Sequence, residues 1–381
     1  MKRKIVVTTG ARSEYGILKS ILTEIQKSKK LELYLIVSGM HLSKKYGLTI
    51  NEIKKDGFKI YKTINMVPSG DSTYDMAKSL GVGIIKFSSI FNKLRPEINL
   101  ILGDRDEAFA SALAASHMNI PNAHVHGGDK SKAGIDEYNR HAITKISNIH
   151  FTATKKSTER VKKMGENPKF IFNTGSPSID EVINENITNK KTFEKKYMMS
   201  FLGDEIILVF HPVTTETEKI EQHITNLLNA VIKFKKQIIA IAPNSDAGGY
   251  IIFDILQKFS KNHSIIRLYK NIPRKDYLAM LRYGGVLVGN SSSGVIEASY
   301  FDIPVVNVGI RQEGRERGNN VIDVTNNTNS IINGIQKAFR LKNTKFKRNR
   351  IYGNGKSSEK IVKILENIII DKRLIQKQIQ Y

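Results

Sequence analysis

The feature that most constrains the fold is a repeated alternation between short, fully apolar segments and longer segments with helical periodicity. A strand-length segment that is apolar at every position predicts a strand covered on both faces, as in a parallel sheet between two layers of helices. The strands predicted in the N-terminal part are 4–9, 32–37, 98–102, 122–126, 150–153 and 170–173. The helices predicted between them include 17–27, 74–94, 106–118 and 137–147.

The alternation weakens in a polar segment rich in Lys and Asn, residues 184–204, and then resumes. Strands are predicted there at 205–210, 236–242, 264–268, 286–288 and 305–308. A chain of 381 residues exceeds the usual size of a single core. We therefore predict an α/β protein with two Rossmann-like, doubly wound domains at residues 1–184 and 185–356. A C-terminal helix at 357–381 is expected to pack back on the first domain.

Composition restricts the class of protein. Apolar residues make up 40% of the chain and charged residues 25%, as in globular enzymes. No apolar run approaches the roughly 20 residues of a membrane-spanning helix, so no membrane partner is expected. The apolar run after the first four residues has the length of a strand, and we expect no signal peptide. Because the chain has no cysteine, thiolate nucleophiles and thiolate metal sites are excluded, and we expect a cytoplasmic protein.

The net charge of +24 raises the question of a nucleic-acid partner. The lysines, however, are scattered along the chain, with no arginine-rich tract and no alternation of basic and aromatic residues. We therefore expect no nucleic-acid binding. A positive field of this size favours an anionic, diphosphate-bearing substrate instead.

The segment from Gly289 to Gly318 has the pattern of a phosphate-binding turn. Small residues follow an apolar strand there, and a helix is predicted from Val295 onward. Free backbone N–H groups at the start of a helix bind anions. Glu297, one turn into that helix, is placed to accept from a sugar hydroxyl, and the arginines at 311, 315 and 317 are placed to contact a diphosphate. The alternative for this segment alone is an ordinary turn between a strand and a helix.

Polar and glycine-rich clusters also follow several other predicted strands. They are residues 9–16, 103–107, 124–129, 211–215 and 243–246. In doubly wound sheets, ligands bind beyond the carboxyl ends of the strands. We therefore predict that all these clusters face one interdomain cleft.

These segments resemble the UDP-N-acetylglucosamine 2-epimerases. The matching residues include Gly-Ala-Arg-Ser-Glu-Tyr at 10–15, Gly-Asp-Arg at 103–105, Ile-Asp-Glu-Tyr-Asn-Arg-His-Ala-Ile-Thr-Lys at 135–145, His211-Pro212, 243–248 and 289–318. The resemblance is strongest to the hydrolysing branch, which begins sialic-acid-type sugar synthesis. It implies a glycosyltransferase-B architecture, no cofactor, no metal and a homo-oligomer, either a dimer or a tetramer.

The resemblance also implies the reaction. UDP is eliminated from UDP-N-acetylglucosamine, or from a 2,4-diacetamido-trideoxy relative, and water is added to the resulting glucal to release N-acetylmannosamine or its analogue. Removal of the C2 proton requires a base, and hydration of the glucal requires a general acid. Carboxylates in one cleft can divide these tasks, since burial and mutual repulsion separate their pKa values.

The family places a carboxylate at Asp104, which is our first choice for an acid/base group. The alternative is that it caps the helix that follows. Glu137 matches a second family carboxylate, and its alternative role is compensation of a helix dipole. His126 departs from the pattern, because many members have a glutamate there. A histidine can still transfer protons near neutral pH, and Asp129 is placed to restore a carboxylate. The spacing of His124 and His126 on one strand would also suit a metal site, but the sequence offers no further set of ligands for it.

The remaining contacts are implied by the resemblance. His211 is expected on the substrate phosphate or the leaving group, with a structural histidine as the alternative. The diphosphate contacts are Arg12 and Arg105, and the nucleotide contacts are Asn244, Ser291, Ser292, Glu297 and Arg311. Tyr15 and Arg140 are expected to be scaffold.

Two other activities fit the same architecture. A glycosyltransferase would use the same nucleotide pocket together with an acceptor site, and a non-hydrolysing 2-epimerase would return UDP-N-acetylmannosamine. The sequence leaves open whether the nucleotide is UDP or GDP and which sugar it carries. It also leaves open which group is the base and which the acid.

Overall fold

The computed structural model describes residues 2–44, 47–66, 70, 72–132, 134–184, 187–244, 246–342 and 351–380. These residues form two compact units, each built on one parallel β-sheet. The first unit contains the described residues within 1–130, 135–183 and 352–381, and the second contains those within 131–134 and 184–351. The prediction of two doubly wound parallel sheets is confirmed.

The sheet of the first unit has seven strands. They are β1 (Arg3–Thr9), β2 (Leu31–Ser38), β3 (Ile60–Ile64), β4 (Ile98–Leu102), β5 (Asn122–Val125), β6 (Ile149–Thr152) and β7 (Ile171–Asn173). All neighbours are parallel, in the order β3-β2-β1-β4-β5-β6-β7. The order reverses between β1 and β4, so the loops after β1, β4 and β5 lie side by side at one edge of the sheet.

Helices cover both faces of this sheet. They are α1 (Arg12–Lys27), α2 (Ile50–Lys55), α3 (Thr73–Leu94), α4 (Asp106–His117), α5 (Ile135–Ile146), α6 (Lys155–Lys163) and α7 (Pro177–Asn184), with α14 (Ser357–Asn367) and α15 (Lys372–Ile375) near the C-terminus. Ile5 and Val7 of β1 pack in one buried cluster with side chains of α1 and α14. Val6, which points to the opposite face, packs with side chains of α3 and α4. This double burial explains the apolar run from Ile5 to Val7 in β1.

The second unit has six parallel strands and its own core. The strands are β8 (Ile206–Val209), β9 (Ile238–Ile241), β10 (Ile266–Tyr269), β11 (Val286–Gly289), β12 (Val305–Val308) and β13 (Val321–Val324), in the order β10-β9-β8-β11-β12-β13. The helices are α8 (Lys190–Tyr197), α9 (Ile220–Ile232), α10 (Gly249–Asn262), α11 (Arg274–Tyr283), α12 (Ser292–Ile296) and α13 (Thr328–Leu341). The loops after β8, β9, β11 and β12 gather at one edge.

Sequence reasoning missed two strands, β3 and β13, which are both edge strands. β3 reads Ile-Tyr-Lys-Thr-Ile and buries only its last residue, and no residue of β13 is fully buried. An edge strand has one neighbour and less cover than a central strand. In β3 and β13, exposed polar residues such as Lys62 and Asp323 interrupt the apolar run on which most of the other strands were predicted.

Three helices differ from the prediction by more than two residues at one end. α1 begins at Arg12 rather than at 17, because the Glu14 carboxylate accepts from the backbone N–H groups of Gly10 and Ala11 and closes the first turn there. α12 is a helix of five residues that begins at Ser292 and ends at Ile296, so Glu297 terminates it instead of lying one turn inside a longer helix.

The third difference concerns the C-terminal segment, for which one helix over 357–381 was predicted. The segment forms α14 and the separate short helix α15. The chain is extended at Ile368, and the Asp371 side chain accepts from the Leu374 N–H to start α15. Ile361, Val362 and Leu365 of α14 are buried in the core of the first unit.

Among the described residues, we find no helix that combines the length and the apolarity required to cross a membrane.

Candidate functional sites in the two units

A cluster of charged side chains lies at the carboxyl edge of the first sheet. Asp104 follows β4 directly after Gly103, whose φ of 75° is in the left-handed region that favours glycine. Arg140, on α5, donates from Nη2 to Asp104 Oδ2 and from Nη1 to Glu137 Oε2. The arginine side chain is only 2% exposed, whereas the two carboxylates are 21% and 23% exposed. Two of the predicted acid/base residues are thus brought together by a residue that was expected to be scaffold.

The charges around Arg140 decide its ionisation. Burial alone would lower the pKa of Arg140, but the negative charges of Asp104, Asp129 and Glu137 outweigh this effect and raise the pKa above its usual value. The guanidinium is therefore a permanent cation. The second oxygen of Glu137, Oε1, lies 2.9 Å from His141 Nε2. Both oxygens of Glu137 thus have partners on its own helix.

His126 and Asp129 form a second, buried network in the same unit. His126 Nδ1 lies 3.0 Å from Asp129 Oδ2, and His126 Nε2 lies 2.8 Å from Ser176 Oγ. Asp129 Oδ1 accepts from Ser157 Oγ at 2.8 Å. His126 has a φ of 68°, a conformation that non-glycine residues seldom adopt and that is often found at functional sites. Because both ring nitrogens have partners, the imidazole is held in one orientation.

His124 is separate from this network. Its Nε2 lies 2.7 Å from the Gly103 carbonyl oxygen, and its Nδ1 lies 3.1 Å from Thr144 Oγ1. Burial lowers the pKa of His124 to about 3, so the ring is neutral at physiological pH. This histidine supports the loop that carries Asp104.

Glu14 is a buried carboxyl that sequence reasoning did not single out. Its Oε2 accepts from Gly10 N–H at 2.8 Å and from Ala11 N–H at 3.1 Å. Burial raises its pKa to about 8; the Arg105 charge acts in the opposite direction, while that of Glu107 adds to the increase. The signal for Glu14 was its place four residues after Gly10, in the first turn of a helix. Arg105 Nε lies 3.3 Å from Glu107 Oε2, and Arg12 is the first residue of α1.

Asn290 organises the carboxyl edge of the second sheet. It is buried directly after β11, and its side chain makes two hydrogen bonds to the backbone of His211, accepting from N–H at 2.7 Å and donating to C=O at 2.8 Å. Its own carbonyl accepts from Gln312 Nε2 at 3.0 Å and from Arg311 Nη1 at 3.4 Å. Asn290 and Gln312 were missed, although both lie inside the segment 289–318 that was singled out.

The His211 ring is oriented by the loop after β9. His211 Nδ1 accepts from the backbone N–H of Asn244 at 3.2 Å, so the proton of a neutral ring resides on Nε2. The Asn244 side chain donates to Asp246 Oδ2. Ser245, which belongs to the predicted 243–246 cluster, lies outside the described residues. These contacts bring His211 and Asn244 together.

The turn after β11 is tightly packed. Gly289 has a φ of 137°, and a Cβ atom there would lie 2.0 Å from the Val209 carbonyl oxygen. This close approach requires glycine. Ser291 caps α12 by accepting from the Ser293 N–H, and Ser292 is the first residue of that helix. Ser293 is in turn hydrogen-bonded to the Tyr277 hydroxyl.

Glu297 forms a two-point ion pair with Arg274, a residue that sequence reasoning missed. The distances are 2.9 Å from Nη1 to Oε2 and 2.8 Å from Nη2 to Oε1. Each carboxylate oxygen can accept more than one hydrogen bond, so the pair fixes the carboxylate while leaving it acceptor capacity. Arg317 donates to Asp323 and to the Gln312 carbonyl, contacts that stabilise the segment after β12.

Comparison with known proteins identifies the family of this chain. A sequence model described as "UDP-N-acetylglucosamine 2-epimerase" matches residues 23–366. The chain is 38% identical over 377 residues to a UDP-N,N'-diacetylbacillosamine 2-epimerase (hydrolyzing) from Legionella pneumophila, with 99% of each chain covered. It is 35% identical over 351 residues to a GDP/UDP-N,N'-diacetylbacillosamine 2-epimerase (hydrolyzing) from Campylobacter jejuni, covering 91% of this chain and 90% of the relative.

The fold is also similar to that of solved structures. A crystal structure of Methanocaldococcus jannaschii UDP-GlcNAc 2-epimerase in complex with UDP-GlcNAc and UDP matches with a TM-score of 0.80 and 20% identity. The match covers 96% of this chain and 99% of that one. This likeness confirms the predicted glycosyltransferase-B type of fold.

Proposed function

Because this chain belongs to the UDP-N-acetylglucosamine 2-epimerase family, we propose that its substrate is a UDP-linked 2-acetamido sugar, with UDP-N,N'-diacetylbacillosamine as the first candidate. The enzyme is a 2-epimerase of the hydrolysing type. Two relatives that match nearly their whole length carry the name of the diacetamido sugar, which supports this choice over UDP-N-acetylglucosamine. The product then belongs to sialic- or legionaminic-acid-type sugar synthesis.

The proposed reaction has two steps. A carboxylate removes the proton from C2, the C2 electron pair forms a C1–C2 double bond, and the C1–O bond breaks with its electrons going to the diphosphate of UDP. Water then adds its hydroxyl group to C1. C2 receives a proton on the face opposite to the one from which the first proton was removed. One water molecule is consumed, and the free sugar has the inverted C2 configuration.

One observation carries this assignment, namely that the carboxylates of Asp104 and Glu137 share one buried guanidinium at the carboxyl edge of the first sheet. A carboxylate beside a fixed cation stays ionised and can serve as the base. His126, paired with Asp129, is the proposed proton donor for hydration. His211, oriented by Asn244, is the proposed contact to the leaving phosphate.

The remaining proposed contacts are nucleotide contacts. Arg12 and Arg105 bind the diphosphate, Glu297 accepts from the ribose hydroxyls, and the other groups that hold the nucleotide are Asn244, Ser291, Ser292 and Arg311. The family resemblance and the anion-binding chemistry of guanidinium and hydroxyl groups support these assignments. The domain limits 1–184 and 185–356, a homo-oligomer and a cytoplasmic location are kept as predictions.

Turnover of a panel of UDP- and GDP-sugars in heavy water, without any acceptor, tests the proposal. The expected result is UDP release together with a free sugar that carries one deuterium at C2, as measured by mass spectrometry and NMR. The rate should not depend on added nicotinamide or metal. UDP release only in the presence of an acceptor would indicate a glycosyltransferase, and a deuterated sugar still bound to UDP would indicate a non-hydrolysing epimerase.

A further inference from the structure

Arg140 stands out among the buried residues. Among the described residues it is the largest of the side chains that are less than 2% exposed, and it carries a positive charge. Burying an arginine is costly unless anions and hydrogen bonds compensate for the lost water. Here the compensation comes from two carboxylates that are each about one fifth exposed. The cation is therefore inside, and the anions that it binds are at the surface of the site.

The geometry of the guanidinium defines the arrangement of the two acids. Nη2 binds Asp104, which belongs to the loop after β4, and Nη1 binds Glu137, which belongs to α5. A guanidinium is planar and rigid, so its two ends fix the distance and the relative orientation of the groups bound to them. A lysine ammonium is a point charge on a flexible stem and cannot impose the same arrangement.

Other polar groups restrict the guanidinium further. Nη1 also lies 3.5 Å from the Asp129 carbonyl oxygen. The charged groups that act on Arg140 are Asp104, Asp129 and Glu137, which lie in the loops after β4 and β5 and on α5. His124 of β5 also interacts with the Arg140 charge, and His141 contacts Glu137 from the same helix. Among them, His124 is neutral because burial lowers its pKa to about 3.

We propose that Arg140 is a positioning residue of the reaction, which uses one guanidinium to hold Asp104 and Glu137 ionised and in a single arrangement around the reacting carbon. This inference rests on the proposed function. It assigns the pair to proton acceptance in the first step, because an ion-paired carboxylate is a base. The shared guanidinium also couples the two carboxylates, because protonation of one changes the electrostatic interaction of the other with their common partner.

The test compares Arg140→Lys and Arg140→Gln with the wild-type enzyme. In Arg140→Lys we expect kcat to fall by about 100-fold, the cost of a small misplacement of catalytic groups, with the dissociation constant of UDP within about twofold. The acid limb of the kcat profile should move to higher pH, because a single ammonium cannot pair with both carboxylates in the same way and leaves at least one of them easier to protonate. Arg140→Gln should show a larger loss and a larger displacement of the same limb.

The matched control is Lys377→Gln. Lys377 Nζ lies 2.7 Å from Glu166, a carboxylate that is 3% exposed and also binds Lys145 and His150 in the same unit. This variant removes a cation from a buried ion pair outside the carboxylate cluster. It should lower the thermal unfolding temperature and leave kcat and the pH profile unchanged.

The possible outcomes distinguish a failure of the proposed function from a failure of the role proposed for Arg140. A wild-type enzyme that releases no UDP from any sugar of the panel refutes the proposed function. A wild-type enzyme that turns over, with an Arg140→Lys variant of native kcat and native pH profile, refutes only the role of Arg140. If Arg140→Lys no longer unfolds cooperatively or no longer binds UDP, the guanidinium is required for the stability of the fold. That result also overturns the inference.

Discussion

Glu14 provides a quantitative prediction about pH and stability. Its carboxyl is buried at the start of α1, and burial raises its pKa from 4.5 to about 8. Between these two pH values the unfolded chain has an ionised Glu14 while the folded chain retains the proton. The folded state then binds more protons than the unfolded state, so stability falls as the pH rises. The contribution is complete below about pH 4.5 and is lost as the pH passes through about 8.

The magnitude follows from the width of this interval. Each pH unit between the two values costs about 1.4 kcal/mol of unfolding free energy, so the full interval amounts to at most about 5 kcal/mol. At pH 7 the expected cost is about 3 kcal/mol by the same relation. Glu14→Gln removes this cost, because the amide cannot ionise. Its carbonyl oxygen can still accept from Gly10 and Ala11, so the helix start is retained.

We therefore expect Glu14→Gln to have the stability of the wild type near pH 4.5 and to become progressively more stable than the wild type up to pH 8. Urea denaturation followed by circular dichroism at several pH values measures the difference. Glu24→Gln is the control, since Glu24 is on the same helix and its carboxylate pairs at the surface with Lys27 at 2.7 Å. A difference between Glu14→Gln and wild type that stays constant from pH 5 to 8 would refute the reasoning.

Three further predictions concern the site. Asp104→Asn should retain UDP affinity in calorimetry and lose at least about two decades of kcat, because an amide cannot take the C2 proton; a near-native rate would make Asp104 structural. His126→Ala should lower kcat by about two to four decades, and His126→Glu should move the alkaline limb of the rate profile, because a proton donor is active only while it is protonated; native pH profiles in both variants would transfer the role to Asp129 or Glu137. Glu297→Gln should weaken UDP binding by about 1–3 kcal/mol, since an anionic acceptor for ribose hydroxyls is lost; an unchanged dissociation constant would exclude this contact.

Much of the fold followed from local pattern. A central strand of a parallel sheet is buried on both faces, so its sequence alone shows a continuous apolar run, as in β8 and β11. Once the strands were predicted, the polar clusters that follow them could be assigned to a candidate site, because ligands bind beyond the carboxyl ends of the strands. The edge strands β3 and β13 lack this signal, since much of their surface is exposed.

What the sequence by itself determined was therefore the class of fold, the identity of the polar clusters and, through resemblance, the chemistry to expect. Only the tertiary structure decided which side chains bind each other. Arg140 reaches Asp104 across 36 residues, and His126 reaches Ser176 across 50. Contacts at such separations depend on the order β1-β4-β5 in the sheet and on the burial of each partner. A local sequence pattern contains neither the strand order nor the burial of a distant partner. For this reason the sequence did not predict that Arg140, which was expected to be scaffold, lies between two candidate catalytic carboxylates.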